Sequence, residues 1–308
     1  MINRRRVLQL SASVLAYQSL GLGTAAVEAS GDLALIQRAI PSSGERLPAL
    51  GMGTSRTFDT AADADSLARL AEVLQTFFAA QGSVIDSSPM YGNAESRVGD
   101  VLRAMTSPPK LFAATKVWTT GREQGIAQME ASARRMNVQT FDLIAVHNLK
   151  DWKTHLDTLK AWKKEGKVRY IGITTSHGRD HDQFLDVMRK EPLDFVQFSY
   201  NMEDRVAEQA LLPLAQDRGI ATMINRPYQR GALFGKTRGH ALPAIAAELD
   251  CSSWGQFFLK FILGHAAVTC IIPATAKARH MADNMQANFG RVPDAAQRAE
   301  MLRVFDSL

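Results

Sequence analysis

Cysteine is almost missing from this chain of 308 residues: Cys251 and Cys270 are the only two. Two are too few for a disulfide framework or a thiolate metal site. Cys270 sits in the apolar run VTCII and reads as a small buried hydrophobe. HExxH and CxxC are absent, so no metal role is expected. The G-x-G-x-x-G turn of a doubly wound dinucleotide fold is missing too; Gly51-Met52-Gly53-Thr54 comes closest and lacks the third glycine. No uninterrupted apolar run is long enough for a stable membrane span. Charge of one sign is also scarce. The net charge of +5 falls to +3 without residues 1–29, which carry Arg4, Arg5, Arg6 and Glu28. No basic stripe with interleaved aromatics occurs, so nucleic acid is not expected as a partner. Lys163-Lys164-Glu165-Gly166-Lys167 reads as the solvated end of a helix. No linker, internal repeat or low-complexity tract divides residues 30–308.

What is present begins with a targeting pattern. Asn3-Arg4-Arg5-Arg6-Val7-Leu8-Gln9 resembles a twin-arginine export signal. A weakly apolar stretch follows, and Val27-Glu28-Ala29 offers a small-residue cleavage site. The plainer reading is a basic N-terminal arm. The first implies export machinery for folded proteins as a partner and a periplasmic location; the second implies a cytoplasmic one. Residues 1–29 are therefore set apart from a domain at 30–308.

In that domain Leu33–Ile36 and Arg46-Leu47 flank Pro41-Ser-Ser-Gly44, a hairpin pattern. Eight strand-like runs follow: 50–53, 84–86, 111–116, 143–147, 168–174, 195–199, 221–225 and 270–273. Helix-like runs lie between them at 65–80, 94–105, 122–136, 153–165, 181–190, 205–217 and 241–263, the last as two helices. Two more, 278–288 and 294–305, follow the last strand. Glycines at 166 and 219 stand where helices should stop. Regular β–α alternation implies a parallel sheet. Eight units predict an α/β fold of the (β/α)8 TIM-barrel type with an N-terminal β-hairpin and an extra C-terminal helix. A doubly wound open sheet is the alternative.

The loops at the C-terminal ends of barrel strands carry the chemistry in such folds. The second predicted strand ends at Asp86, with Tyr91 on its loop and Asn93 a candidate N-cap of the next helix. The third ends at Lys116 and the fourth at His147. A lysine ending an apolar strand is costly to bury unless paired, and Asp86 is the obvious partner. Together the four side chains make an acid–base device. The ammonium favours the phenolate of Tyr91 and lowers its pKa, Asp86 orients the ammonium, and His147 orients a carbonyl. Singly, each residue is more simply structural.

The chain resembles the aldo-keto reductases over roughly residues 33–290. The catalytic tetrad of that family matches Asp86, Tyr91, Lys116 and His147. VIDSSPMYGNAESRVG (84–99) follows the family's second strand and loop nearly residue for residue. LGMGT (50–54), DLIAVH (142–147), GKVRYIG (166–172), VQFSYN (196–201) and IPAT (272–275) with Asn284 match in the same order. The resemblance implies a metal-free oxidoreductase passing hydride between a nicotinamide and an aldehyde, a ketone or the corresponding alcohol. It also implies a cofactor site: Gly53 and Thr54 at the first strand, Thr174, Thr175 and Gln197 at the nicotinamide amide, and Thr275, Asp283 and Asn284 toward the adenosine.

Departures from the family mark the same face. Thr175 replaces a usual asparagine, and Asn225 stands where a tyrosine commonly stacks on the nicotinamide, with Tyr228 three residues on. Arg226 and Arg230 are cations along the expected pyrophosphate path, for phosphate or for a local carboxylate. Lys277 and Arg279 are candidates for a 2′-phosphate, although the usual lysine and arginine positions hold Ala274 and His280. NADP(H) is thus favoured, with NAD(H) possible. Trp118, Met52 and Phe58 are candidates for the pocket wall; Trp152, Trp162 and Trp254 for core packing. The chain ends near Leu308 without the long C-terminal loop that some members use to enclose substrate, so an open pocket is expected. Two rival readings remain at this level: a nicotinamide-binding regulatory or sensor barrel with little turnover, and a barrel isomerase using a Lys/His base.

Overall fold

The computed structural model describes residues 33–107 and 109–308. The export pattern in residues 1–29 lies outside them. Residues Ala34–Leu308 form one compact unit.

The unit opens with an antiparallel hairpin, β1 (Gln37–Ala39) paired to β2 (Arg46–Pro48). Its first strand starts later than the sequence pattern suggests, because Leu35 makes a single bridge to Phe289 instead. Eight parallel strands follow: β3 (Met52–Gly53), β4 (Val84–Asp86), β5 (Phe112–Val117), β6 (Phe141–His147), β7 (Val168–Thr174), β8 (Phe195–Ser199), β9 (Ala221–Asn225) and β10 (Cys270–Ile271). They pair in sequence order, and parallel bridges Leu50–Ile271 and Gly53–Ala274 join the two edge strands. The result is a (β/α)8 barrel.

Helices α1 (Ala64–Ala79), α2 (Ala94–Ala104), α3 (Arg122–Met136), α4 (Trp152–Lys164), α5 (His181–Lys190) and α6 (Leu211–Asp217) connect successive strands. The β9–β10 connection holds three: α7 (Ala232–Lys236), α8 (Ala244–Glu248) and α9 (Trp254–Leu263). The sequence pattern shows only the last two, since α7 is a short helix between glycines. Helices α10 (Ala278–Gln286) and α11 (Ala295–Asp306) close the chain. Local signals set their ends. Asp63 caps α1 by accepting Ser66 N at 2.8 Å. A reciprocal Asp294/Gln297 capping box starts α11. Gly166 and Gly219 take φ of 74° and 61° where α4 and α6 stop. Asn93 precedes α2 without capping it; its amide donates to Asp59 Oδ1 at 3.2 Å.

Strand alternation sorts side chains into two cores. Residues of one parity face the helices. The other parity fills the barrel with Val84, Phe112, Leu143, Tyr170, Phe195 and Met223, plugged at the N-terminal end by Ile40 and Leu47 of the hairpin. Asp86, Lys116, His147, Thr174, Gln197 and Asn225 share the inward parity. They therefore form the polar layer that continues this apolar interior toward the C-terminal ends of the strands.

Candidate active site

A cavity of about 1050 Å³ opens over that polar layer, at the upper end of the roughly 300–1,000 Å³ usual for small-molecule sites. Asp86, Tyr91 and His147 border it on one side, with Gly53 and Thr54 beside them. Thr174, Thr175, Gln197 and Asn225 line its centre, and Arg226 and Arg230 its rim. Thr275, next to the Ala274 that bridges Gly53, also lines the cavity, as do Asp283 and Asn284 of α10. Lys116 lies beneath, fully buried. Lys277 and Arg279 do not border the cavity; Lys277 occupies the N-cap position of α10, and both side chains are exposed.

Asp86 and Lys116 form a buried ion pair. Lys116 Nζ donates to Asp86 Oδ1 at 2.8 Å, to Oδ2 at 2.7 Å and to the Ser87 carbonyl at 2.7 Å. These bonds use all three hydrogens of the ammonium. Burial pushes Asp86 upward against the opposing pull of Lys116. Burial works to lower Lys116, and Asp86 and Tyr91 more than offset it, leaving its pKa raised. Lys116 Nζ stands 5.3 Å from the centroid of the Tyr91 ring. It acts on the phenol mainly through its charge, while Asp86 and Ser87 hold its hydrogens. The net effect on Tyr91 differs from the expectation of a lowered pKa. Burial is the largest influence and raises it; Lys116 pulls down, Asp86 pushes up. Before substrate arrives, Tyr91 is a protonated acid.

His147 meets Tyr91 edge-on, with ring centroids 5.8 Å apart and planes at 90°. Burial, then Lys116, lowers its pKa to about 3, so the imidazole is neutral at ordinary pH. Ser88 Oγ lies 2.9 Å from His147 Nδ1 and accepts Met90 N at 3.4 Å. With the hydroxyl hydrogen directed at Nδ1, Nε2 carries the ring hydrogen and is free to donate. Ser88 is fully buried. Sequence reasoning passed over it because Ser-Ser-Pro reads as a turn; the signal available was its place two residues beyond a strand-end carboxylate.

The centre of the cavity is tightly cross-bonded. Asn225 Oδ1 accepts Ser199 Oγ at 2.7 Å, and its Nδ2 donates to the Thr175 carbonyl at 3.0 Å. Each atom keeps one further bonding position. Thr175 Oγ1 donates to the Arg179 carbonyl at 2.7 Å, and Thr54 Oγ1 donates toward Asp86 O and Ser87 Oγ. Gln197 Nε2 rests on Met223 Sδ at 3.1 Å. Asp283 accepts Ser253 Oγ and Gln256 Nε2. The Tyr228 hydroxyl donates to Asn284 Oδ1 at 2.7 Å. Arg226 pairs with no carboxylate within 4.0 Å among the described residues, and its Nε is buried without a partner. Burial and Arg230 lower its pKa, with Asp204 opposing.

The apolar wall is not the expected one. Met52 and Phe58 are fully buried in the outer core, and Trp118 stands outside the cavity with Lys150 Nζ 4.7 Å over its ring. Met90, Phe234 and Ile272 border the cavity instead, as does Trp254, which also packs on the core.

The aldo/keto reductase family model matches residues 49–299. Methylglyoxal reductase YeaE of Escherichia coli is 28% identical over 260 residues, covering 80% of this chain and 88% of that protein. The NADH-specific methylglyoxal reductase of Escherichia coli is 25% identical, over 53% of this chain and 58% of that protein. Two other curated relatives are matched over about half their length. An aldo/keto reductase from Klebsiella pneumoniae, solved with NADP and acetate, superimposes with a TM-score of 0.69 at 22% identity, covering 85% of this chain and 93% of that one.

Proposed function

The chain belongs to the aldo/keto reductase family, and from that premise we propose that it is an NAD(P)H-dependent oxidoreductase interconverting an aldehyde or ketone with its alcohol. The observation that carries this reading is the cavity floor: a protonated Tyr91 above the buried Asp86–Lys116 pair, beside a neutral His147. A carbonyl oxygen set between Tyr91 and His147 would accept a hydrogen bond from each. A bound nicotinamide supplies the hydride. As negative charge grows on the oxygen, Tyr91 donates its proton, and the Lys116 field stabilises the phenolate left behind. Asp86 keeps the ammonium charged and in place, and Ser88 holds the imidazole tautomer that donates from Nε2. In the oxidative direction Tyr91 takes the proton back.

The residues present fit a dinucleotide. The unpartnered Nε of Arg226 and the neighbouring Arg230 suit phosphate oxygens. Thr275 and the start of α10 suit a second anionic group. NADP(H) is the favoured form, supported by the NADP complex of the Klebsiella neighbour. NAD(H) stays open, because one relative is NADH-specific and Lys277 and Arg279 stand off the cavity. The test is to follow nicotinamide absorbance with the full chain, NADPH or NADH, and a panel of aldehydes and ketones. Carbonyl-dependent oxidation supports the reading; nucleotide binding without turnover overturns it in favour of a sensor.

Residues 1–29 would direct export as a folded protein, supported by the Arg4-Arg5 pair and the Ala29 cleavage pattern. A barrel exported this way would carry its nucleotide with it, hold it tightly, and recycle it between two carbonyl or alcohol substrates. Cell fractionation of the Arg4→Lys/Arg5→Lys variant tests this: periplasmic enzyme should vanish. Unchanged export contradicts the signal, and rapid nucleotide exchange by the exported enzyme contradicts retention.

A further inference from the structure

We propose that Arg56 and Arg179 form a substrate subsite that holds a carboxylate or phosphate carried by the carbonyl compound. This rests on the reductase reading above and names its substrate class: anionic aldehydes or ketones.

Four arginines, Arg56, Arg179, Arg226 and Arg230, border the cavity together with His177. None has a carboxylate within 4.0 Å among the described residues. The acids on the same wall are otherwise engaged. Asp86 serves Lys116, Asp283 accepts Ser253 and Gln256, and Asp59 accepts Asn93 N at 2.9 Å. Asp204 acts on Arg226 from beyond 4.0 Å. The rim thus carries a positive excess in a cleft, the arrangement that concentrates anions.

The arginines divide by position. Arg226 and Arg230 share the loop after β9, and a doubly charged pyrophosphate matches them. Arg56 and Arg179 remain, on the loops after β3 and β7. Hydrogen bonds tie both loops to the reacting centre. The Arg56 loop is joined to the Tyr91 loop through Asp59 and Asn93. The Arg179 loop folds back by Thr175 Oγ1 to Arg179 O at 2.7 Å and His177 N to Ser199 Oγ at 3.2 Å. Arg56 and His177 take left-handed φ of 65° and 63°, uncommon for residues with a Cβ. All four guanidinium groups act on His177: after burial, Arg226, Arg230, Arg179 and Arg56 each lower its pKa. All four border one cavity with His177, and guanidinium forks match carboxylate and phosphate.

Three aldehydes on one ring test it: 4-formylbenzoate, 4-formylphenyl phosphate and the neutral methyl 4-formylbenzoate. Full-length enzyme should prefer the charged aldehydes in kcat/KM by about tenfold at low salt, with the preference shrinking as salt rises. The two charged arms separate carboxylate from phosphate. Arg56→Ala/Arg179→Ala should abolish the preference, read as the ratio of charged to neutral kcat/KM. An unchanged ratio overturns the proposal. So does a rise in the NADPH dissociation constant that accounts for the loss, since the arginines would then serve the nucleotide. Calorimetric binding of 4-carboxybenzyl alcohol against its methyl ester needs no turnover. Preferential binding of the acid without any reduction keeps the subsite and removes the reductase reading; reduction of all three aldehydes without preference does the reverse.

Discussion

At the floor of the cavity each charge has its partner, and at the rim the arginines have no carboxylate within 4.0 Å among the described residues. Lys116 spends three hydrogens on Asp86 and Ser87, and Ser88 occupies His147 Nδ1, all out of solvent. Arg56, Arg179 and Arg230 stand exposed, and the Nε of Arg226 is buried without a bond. The floor is fixed before any ligand arrives, which is what proton transfer demands. The rim keeps its charge unspent for ligands that bring the opposite sign. Arg56, His177, Arg226 and Arg230 have positive φ, as does Asn148 beside His147; Asp86, Tyr91, Lys116 and His147 do not.

Breaking the floor should cost the most. Lys116→Met leaves the Asp86 carboxylate buried and unpaired, so unfolding free energy should fall by about 3–5 kcal/mol. Denaturant titration checks this. Asp86→Asn/Lys116→Met should recover part of that stability and none of the activity; a single variant as stable as wild type contradicts the pair's role.

A second consequence concerns acid. His147 has its pKa lowered from 6.5 to about 3, so the unfolded chain binds a proton that the folded chain refuses. The stability tied to neutral His147 is complete above pH 6.5 and is lost as pH falls toward 3. In that window wild type should lose about 1.4 kcal/mol per pH unit more than His147→Gln. Melting temperatures across the window test this, and parallel curves count against a neutral buried imidazole.

Ser88→Ala should lower kcat about tenfold with KM little changed, since only the tautomer and aim of His147 are disturbed. Ser88→Thr, which keeps the hydroxyl, should restore most of the rate. Equal losses in both variants would make Ser88 a packing residue only. At the rim, Arg226→Ala should weaken nucleotide binding by about fivefold, less so at high salt; fluorescence titration reads it, and unchanged affinity removes Arg226 from the phosphate path.

The comparison also marks what a linear sequence carries. Asp86, Lys116 and His147 are legible because each ends an apolar run, and strand parity then turns them inward together. Barrel order was legible for the same reason: six of the seven β–α connections are regular, and only the last hides a helix, α7. Ser88 was not legible, because its bond to His147 spans 59 residues and depends on how the turn folds. Nor was the use of Asn225 and Thr175 by neighbouring loops, which is set by strand register. The net pull on Tyr91 is not legible either, because burial, which a sequence does not display, outweighs Lys116. Lys277 and Arg279 stand off the cavity because α10 begins at the positions that turn them outward.

Tyr91 passes the proton while the rest of the cavity binds. Tyr91→Phe, assayed for aldehyde-dependent NADPH oxidation and titrated with NADPH by fluorescence, tests it most directly. Turnover should fall by about a hundredfold to ten-thousandfold with the nucleotide dissociation constant unchanged. Turnover close to that of the wild type would contradict the account.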